Sequence, residues 1–237
     1  LGKPLGHSRS PQIHAAALAA CDLSGEYALR EVDTAGFAVA CAEIADGALF
    51  GANVTMPYKR AAHDACEELD PDAVRAGAVN TLVGRNGTLA GWNTDVIALR
   101  QAIDAMPGAS VLILGAGGSA AAALVAAEGR DVTLAARGSG AAERLVAEVR
   151  PASRVAPWGA AVPGAVVVNA TTLGMSGESL PGGLLEMAAG LIDLPYGTAP
   201  TPAFQDAMVR GLPAVDGVSL LVAQAAESFE IWTGLTA

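Results

Sequence analysis

Charged side chains are scarce in this sequence: only 16% of its 237 residues are Asp, Glu, Lys or Arg. Aromatic residues make up 4% and hydrophobic residues 52%, so the core must be built from small and aliphatic side chains. This composition excludes intrinsic disorder, which requires low hydrophobicity and high charge. The 14 basic residues are outnumbered by 24 acidic ones, which gives a net charge of −10. We therefore expect no nucleic-acid partner, because neutralising phosphates requires clustered Lys and Arg.

Two uncharged stretches, residues 105–127 and 155–177, resemble membrane spans of roughly 20 apolar residues. Glycines and prolines interrupt both stretches, which favours strands and turns of a soluble α/β core and no membrane partner. The cysteines Cys21, Cys41 and Cys66 form no C-x-x-C motif. They predict buried structural thiols in a reducing, cytoplasmic compartment. The three histidines share no ligand spacing, so we expect no metal.

Apolar runs alternate along the chain with Ala-rich helical segments, a βαβα pattern that is typical of a mostly parallel sheet. Helices are predicted at 10–20, from 59, and at 94–105, 119–128, 141–149 and 203–210. Strands are predicted at 51–55, 78–83, 88–91, 110–114, 132–135, 165–169 and 190–194. Ser10 is expected at the N-cap of the first helix, and Arg85-Asn86-Gly87 is expected to form a turn. The helix at 94–105 predicts a boundary between two lobes.

A glycine-rich turn between an apolar strand and a helix predicts a dinucleotide site. Residues 111–120 read V-L-I-L-G-A-G-G-S-A, which fits G-x-G-x-x-A. The first glycine permits the tight turn, the second lets the backbone approach a pyrophosphate, and the small third residue lets the helix pack on its strand. The free N–H groups at the start of the helix suit phosphates. The cofactor residues expected here are Gly115, Ala116, Gly117, Gly118, Ser119 and Ala120.

The end of the next predicted strand bears on the choice of dinucleotide. An NAD site usually places Asp or Glu there for the ribose 2′-hydroxyl, whereas Arg suits a 2′-phosphate. The chain has Ala136-Arg137-Gly138 at this point, and Asp131 stands too early in the strand. Arg137 therefore favours NADP, and NAD stays open as the alternative.

Polar residues recur at the ends of predicted elements in the first part of the chain. Ser8 and Ser10 place two hydroxyls at a helix N-terminus, which suits a carboxylate. Asn53 and Thr55 stand two apart on a predicted strand, hence on one face, and Lys59 follows in the next helix. Further polar groups at element ends are Asn80-Thr81 and Asn93-Thr94-Asp95. Open α/β sheets bind ligands at strand ends, so these residues predict a substrate site.

Together these motifs resemble the shikimate dehydrogenase family, including its quinate/shikimate and aminoshikimate branches. The resemblance covers nearly the whole sequence, through motifs at 2–11, 53–59, 77–81, 91–95, 115–118, 169–175 and 224–234. It implies a two-lobed α/β fold with a split α/β substrate-binding domain and a Rossmann-type dinucleotide-binding domain. The expected bounds are 1–96 with 216–237 for the former and 97–215 for the latter.

The resemblance also implies a reaction, the reversible NADP-dependent reduction of 3-dehydroshikimate to shikimate in aromatic amino acid biosynthesis. Lys59 and Asp95 would form the catalytic pair, because oxidising an alcohol requires removal of its proton as the hydride leaves. Which of the two is the formal base stays open. The implied substrate residues are Ser8, Ser10, Thr55, Asn80, Asp95, Tyr196 and Gln224. The resemblance implies two further cofactor residues besides the glycine turn and Arg137, namely Thr171 and Gly217.

The chain departs from the family pattern in several places. Gly138 and Ala141 stand where further cofactor-site residues are usual, which predicts weaker NADP selectivity. Thr198 replaces a Pro, Leu220 replaces a Met, and parts of the first strand and last helix are expected to be absent. The alternatives are therefore an NAD-preferring quinate/shikimate or aminoshikimate dehydrogenase, and a non-catalytic ligand-binding homologue. Retention of the catalytic pair disfavours the non-catalytic homologue. We expect the protein to be a monomer or a homodimer.

Overall fold

A computed structural model describes residues 1–236, apart from the side chain of Ser139. The chain divides into two compact units, Leu1–Thr94 with Leu221–Ala237, and Asp95–Leu220. We call them the first and the second unit. The boundary passes through two helices, so each unit contains an end of both.

The first unit combines short helices with a small sheet. Its helices before the boundary are α1 (Ser10–Ala20), α2 (Thr34–Ala45), α3 (Lys59–Ala65) and α4 (Pro71–Ala76). Its strands are β1 (Gly51–Asn53), β2 (Glu68–Leu69), β3 (Thr81–Arg85) and β4 (Thr88–Trp92). Helix α5 (Thr94–Asp104) begins in this unit and continues in the second.

The sheet of the first unit has the strand order β1-β3-β4-β2. Strand β3 is antiparallel to β1 and β4, whereas β2 is parallel to β4. The predicted turn is confirmed: Asn86 and Gly87 join β3 to β4 with φ of 53° and 84°, the left-handed conformations of a tight hairpin. The expectation of a mostly parallel sheet is therefore wrong for this unit.

Three local predictions are corrected here. Strand β1 ends at Asn53 because its pairing with β3 ends at Thr81, so Thr55 does not share a strand face with Asn53. The strand expected at 78–83 begins only at Thr81, so Asn80-Thr81 opens a strand instead of ending one. Ser10 is the first helical residue of α1 and Arg9 takes the cap position, without a side-chain cap bond.

Helix α2, which the sequence reading did not predict, covers the sheet of the first unit. Phe37, Cys41 and Ile44 on α2 are buried in the core of this unit. The ring of Phe37 stacks on Tyr58 at a centroid distance of 4.9 Å. A Cβ on Gly84 would lie 2.0 Å from the Ile44 carbonyl oxygen, so this glycine lets α2 touch β3.

The second unit is built around a sheet of six parallel strands. The strands are β5 (Ser110–Leu114), β6 (Asp131–Ala135), β7 (Arg154–Ala156), β8 (Ala165–Asn169), β9 (Gly190–Asp193) and β10 (Ala214–Val215). The helices are α6 (Gly118–Ala126), α7 (Ser139–Val149), α8 (Pro202–Val209) and α9 (Gly217–Thr233), of which α9 continues into the first unit. The strand order is β10-β9-β8-β5-β6-β7. This is the doubly wound arrangement of dinucleotide-binding folds, and it confirms the predicted α/β fold class.

Both uncharged stretches of the sequence lie in the second unit and contribute strands to its sheet. Residues 105–127 contain β5 and α6, and 155–177 contain β8, a strand buried along its whole length. Within residues 1–236, no helix combines the length and apolarity that crossing a membrane requires.

The cysteines only partly match their prediction. All three carry free thiols, but only Cys41 is buried, whereas Cys21 and Cys66 are partly exposed. Burial raises the pKa of the Cys66 thiol to about 12, with smaller contributions from Cys41 and Glu67. This thiol therefore stays protonated and unreactive at neutral pH.

Candidate active site

The glycine turn between β5 and α6 combines a position that only glycine can occupy with open space at the start of a helix. Gly115 has φ of 117°, and a Cβ there would lie 2.8 Å from the carbonyl oxygen of Ala170, so no larger residue fits. A Cβ on Gly117 would meet nothing within 4 Å, so space is open on that side of the turn. Helix α6 begins after Gly117 without a side-chain cap, which leaves its first N–H groups for an anionic ligand.

The other predicted cofactor residues of the second unit lie along the carboxyl ends of neighbouring strands. Strands β5 and β8 are adjacent at the point where the strand order reverses, the position at which such sheets bind ligands. Thr171 follows β8, and its N–H and hydroxyl donate to Asn169 Oδ1 at 3.2 and 2.6 Å. Gly217 packs against the chain after β9, since a Cβ there would lie 2.3 Å from the Leu194 carbonyl oxygen.

A buried polar group that the sequence reading missed holds these strand ends together. The Asn169 amide donates to Asp193 Oδ1 at 2.7 Å, and the Thr201 hydroxyl donates to Asp193 Oδ2. Thr201 also caps α8 by accepting the N–H of Phe204. Burial raises the pKa of Asp193, and the hydrogen bonds from Thr201 and Asn169 oppose that rise. The position of Thr171 thus depends on Asp193 through Asn169.

Arg137 lies two residues beyond the end of β6, the neighbour of β5. Its side chain is exposed, and no hydrogen bond or ion pair joins it to a side chain that the structure describes. An exposed guanidinium at this edge of the sheet suits a ribose 2′-phosphate.

In the first unit, backbone hydrogen bonds bring the segments of the predicted catalytic residue Lys59 and of the predicted substrate residues Thr55 and Asn80 together. The N–H of Val54 donates to the carbonyl of Asn80 at 2.8 Å, and the N–H of Val79 donates to the carbonyl of Lys59 at 2.9 Å. Lys59 is the first residue of α3, and Thr55 is exposed in the loop before it. The structure therefore places Thr55, Lys59 and Asn80 around one end of the small sheet.

The two predicted serines lie together at the start of α1. The Ser8 hydroxyl donates to Ser10 Oγ at 3.2 Å, and the Ser10 N–H donates to Ser8 Oγ at 3.3 Å. This pair presents hydroxyl groups at a helix N-terminus, where a carboxylate is stabilised.

The structure also brings Asn80 and Gln224 together, although 144 residues separate them in the chain. Asn80 Nδ2 lies 3.4 Å from Gln224 Oε1, and both side chains are almost fully buried. The N–H of Thr94 donates to Asn80 Oδ1 at 2.8 Å. A backbone N–H can only donate, so this bond determines which end of the Asn80 amide is the oxygen.

The remaining predicted residues lie in the second unit. Asp95 is on the first turn of α5 and Tyr196 follows β9, both partly exposed. Lys59 belongs to the first unit and Asp95 to the second, so their pairing stays a prediction. In the described part of the chain, no group of three or more His, Cys, Asp or Glu side chains is arranged to hold a metal ion.

A parallel sheet of this order, with an uncapped glycine turn at its switch point, defines the Rossmann class of dinucleotide-binding proteins. Residues 1–82 match the shikimate dehydrogenase substrate binding domain, and residues 217–237 match the shikimate 5′-dehydrogenase C-terminal domain. The chain belongs to the shikimate dehydrogenase family, as the sequence motifs predicted.

Full-length similarity to individual relatives supports this assignment. The chain is 41% identical to shikimate dehydrogenase (NADP(+)) of Anaeromyxobacter sp. (strain Fw109-5), over 100% of this chain and 90% of the relative. It is 39% identical to the enzyme of that name from Acidiphilium cryptum, with the same coverage. Among solved structures, shikimate 5-dehydrogenase from Thermus thermophilus, in complex with NADP(H) and shikimate, superposes with a TM-score of 0.88. That enzyme is 33% identical, and the match covers 99% of this chain and 92% of that one.

Proposed function

We propose that this chain catalyses the reversible NADP-dependent reduction of 3-dehydroshikimate to shikimate, a step of aromatic amino acid biosynthesis. The similarity over the whole chain to enzymes named shikimate dehydrogenase (NADP(+)) carries the proposal. The names of these relatives disfavour the NAD-preferring alternative. The enzyme works in the cytoplasm, as a monomer or homodimer, on a small-molecule substrate and without nucleic-acid or membrane partners.

The second unit holds the cofactor. The glycine turn and the uncapped start of α6 receive the pyrophosphate, and Arg137 binds the 2′-phosphate. Thr171 and Gly217 border the cofactor at the strand ends, where Gly217 permits the close approach of α9. When bound, NADP supplies the acceptor of the hydride that leaves the ring carbon of shikimate. The remaining cofactor residues are Ala116, Gly118, Ser119 and Ala120.

The first unit binds the substrate through groups of matching chemistry. Ser8 and Ser10 hold the carboxylate, while Thr55, Asn80 and Gln224 hydrogen-bond the ring hydroxyls. Asn80 and Gln224 are suited to this role because their amides are already fixed by buried hydrogen bonds. Tyr196 and Asp95 add contacts from the second unit.

Lys59 and Asp95 handle the proton of the reacting alcohol. As shikimate is oxidised, the hydroxyl proton passes to this pair while the C–H electrons leave with the hydride; in the reverse direction the pair returns the proton. The proposal assigns the proton to the pair as a whole.

The experiment that tests the function is a comparison of two substrates with two cofactors. Purified protein is mixed with shikimate or quinate and NADP or NAD, and formation of the reduced cofactor is followed by absorbance. We expect the highest kcat/KM with shikimate and NADP. A higher kcat/KM with quinate or with NAD would transfer the assignment to another branch of the family, and inactivity in all four mixtures would refute the enzyme assignment.

A further inference from the structure

One hydroxyl on α9 lies at the centre of a buried cluster of polar side chains in the first unit. Ser228 has no exposed surface, and its Oγ lies 2.9 Å from Thr81 Oγ1 and 3.2 Å from Thr94 Oγ1. It also accepts a hydrogen bond from Asn53 Nδ2 at 2.9 Å. Ser228 therefore joins α9 to β1, to the start of β3 and to the start of α5. With Asn80 and Gln224, these four residues are called the polar cluster below.

The neighbours of Ser228 are also the neighbours of the two amides proposed to bind substrate. Thr81 Oγ1 and Thr94 Oγ1 lie 3.0 and 3.2 Å from Asn80 Oδ1. Thr94 Oγ1 also lies 3.4 Å from Gln224 Oε1. Ser228 itself donates to the backbone carbonyl of Gln224, one helical turn earlier, at 2.9 Å.

Burial makes this arrangement sensitive to the loss of a single hydroxyl. Thr81, Thr94 and Ser228 are all fully buried, so water cannot readily replace a missing partner. Without the Ser228 hydroxyl, the Asn53 amide and the two threonine hydroxyls lose a shared partner and must find others. For the Asn53 amide, the partners within reach are Thr81 Oγ1 at 3.1 Å and the Asn80 backbone carbonyl at 3.3 Å. For the two threonine hydroxyls, they are the side-chain oxygens of Asn80 and Gln224, so the orientation of both amides is expected to change.

We propose that Ser228 is a positioning residue for substrate recognition: it acts through Thr81 and Thr94 to hold the amides of Asn80 and Gln224 in the orientation that receives the ring hydroxyls. This role rests on the proposed function, since it presumes that these amides contact substrate. Ser228 touches neither the substrate nor the cofactor.

The variant that tests this role is Ser228→Ala, which removes the hydroxyl and leaves the helix intact. We expect the KM for shikimate to rise about tenfold, equivalent to about 1.4 kcal/mol of binding free energy. The KM for NADP is expected to stay within about twofold, because the proposed cofactor residues lie in the second unit. A merely structural defect would not separate the two Michaelis constants in this way.

Thr233→Ala is the matched control on the same helix. The Thr233 hydroxyl donates to the Phe229 carbonyl at 2.7 Å, the same bond to the preceding turn that Ser228 makes, but it lies outside the polar cluster. We expect this variant to keep the wild-type KM for shikimate. If Ser228→Ala does not fold, Ser228→Cys takes its place, because its thiol hydrogen-bonds weakly at similar volume.

A double variant shows whether Ser228 acts through Gln224. If it does, Ser228→Ala raises the KM for shikimate much less in a Gln224→Ala background than in the wild type. Equal effects in both backgrounds, an unchanged KM for shikimate, or a matching rise in the KM for NADP would each overturn the role of Ser228. Inactivity of the wild type with shikimate would instead refute the proposed function, and the role of Ser228 with it.

Discussion

The pH dependence of stability offers a sharp test through one buried histidine of α1. His14 is 2% exposed and stacks on Tyr27 at a centroid distance of 4.2 Å, with Trp232 5.2 Å away. Its Nε2 is buried without a hydrogen-bond partner within residues 1–236. Burial lowers the pKa of His14 from 6.5 to about 4, although a hydrogen bond with Asn53 favours the charged form.

The direction of the effect follows from the order of the two pKa values. Because the folded-state pKa is the lower one, the unfolded chain takes up a proton below pH 6.5 while the native protein does not. Above pH 6.5, His14 therefore does not reduce the free energy of unfolding. As the pH falls from 6.5 towards about 4, this free energy decreases. The free energy of unfolding falls by about 1.4 kcal/mol for each pH unit between the two pKa values. His14 therefore lowers it by about 3 kcal/mol at pH 4.

The assay is urea unfolding of the wild type and His14→Phe at several pH values between 7.5 and 4. Carboxylates titrate in the same range, so the quantity of interest is the difference in free energy of unfolding between the two proteins. Between pH 7 and pH 4, the wild type should lose about 3 kcal/mol more free energy of unfolding than the variant does. His14→Gln, a neutral replacement that packs differently, should show the same change. Parallel curves for the wild type and both variants would refute the reasoning.

Three further substitutions test the site. Lys59→Ala should lower kcat by about 100-fold or more, which is the usual contribution of a general acid–base group. Calorimetry should show that this variant still binds shikimate, and Lys3→Ala is the control. Arg137→Ala should raise the KM for NADP about tenfold and leave the KM for NAD unchanged, because it removes a charge-assisted bond to the 2′-phosphate. An equal rise in the KM for NADP and the KM for NAD would contradict that role. Asp193→Ala should lower the free energy of unfolding in urea by about 2–4 kcal/mol, because two buried donors lose their acceptor. The control is Asp206→Ala, at a partly exposed residue paired with Arg210, which should lower it by less than about 1 kcal/mol.

Features that depend on a few consecutive residues were predictable from the sequence. The turn at Asn86-Gly87 and the glycine turn at Gly115 are positions where left-handed backbone angles favour glycine or asparagine. Strands β5 and β8 each contain four consecutive apolar residues, and both match their predicted bounds. The family motifs were recognisable for the same reason, because each occupies a short segment.

Features that depend on distant segments were not predictable in this way. Residues 51–55 read as one strand, but β1 ends at Asn53 because its partner begins at Thr81. Helix α2 was missed, although it supplies much of the core of the first unit. Helix α9 was missed as well, although Asp216 accepts the N–H of Ser219 at its start, a cap that could have indicated it.

The alternation of apolar runs with helical segments and the local motifs by themselves determined the α/β class and the family of this protein, and they predict its dinucleotide site. Only the tertiary structure decided which polar side chains share buried hydrogen bonds, such as Asn53 with Ser228 across 175 residues. The physical reason is that a turn or an apolar run is stabilised by its own neighbours. A buried hydroxyl, by contrast, takes its partners from whichever elements the fold brings beside it.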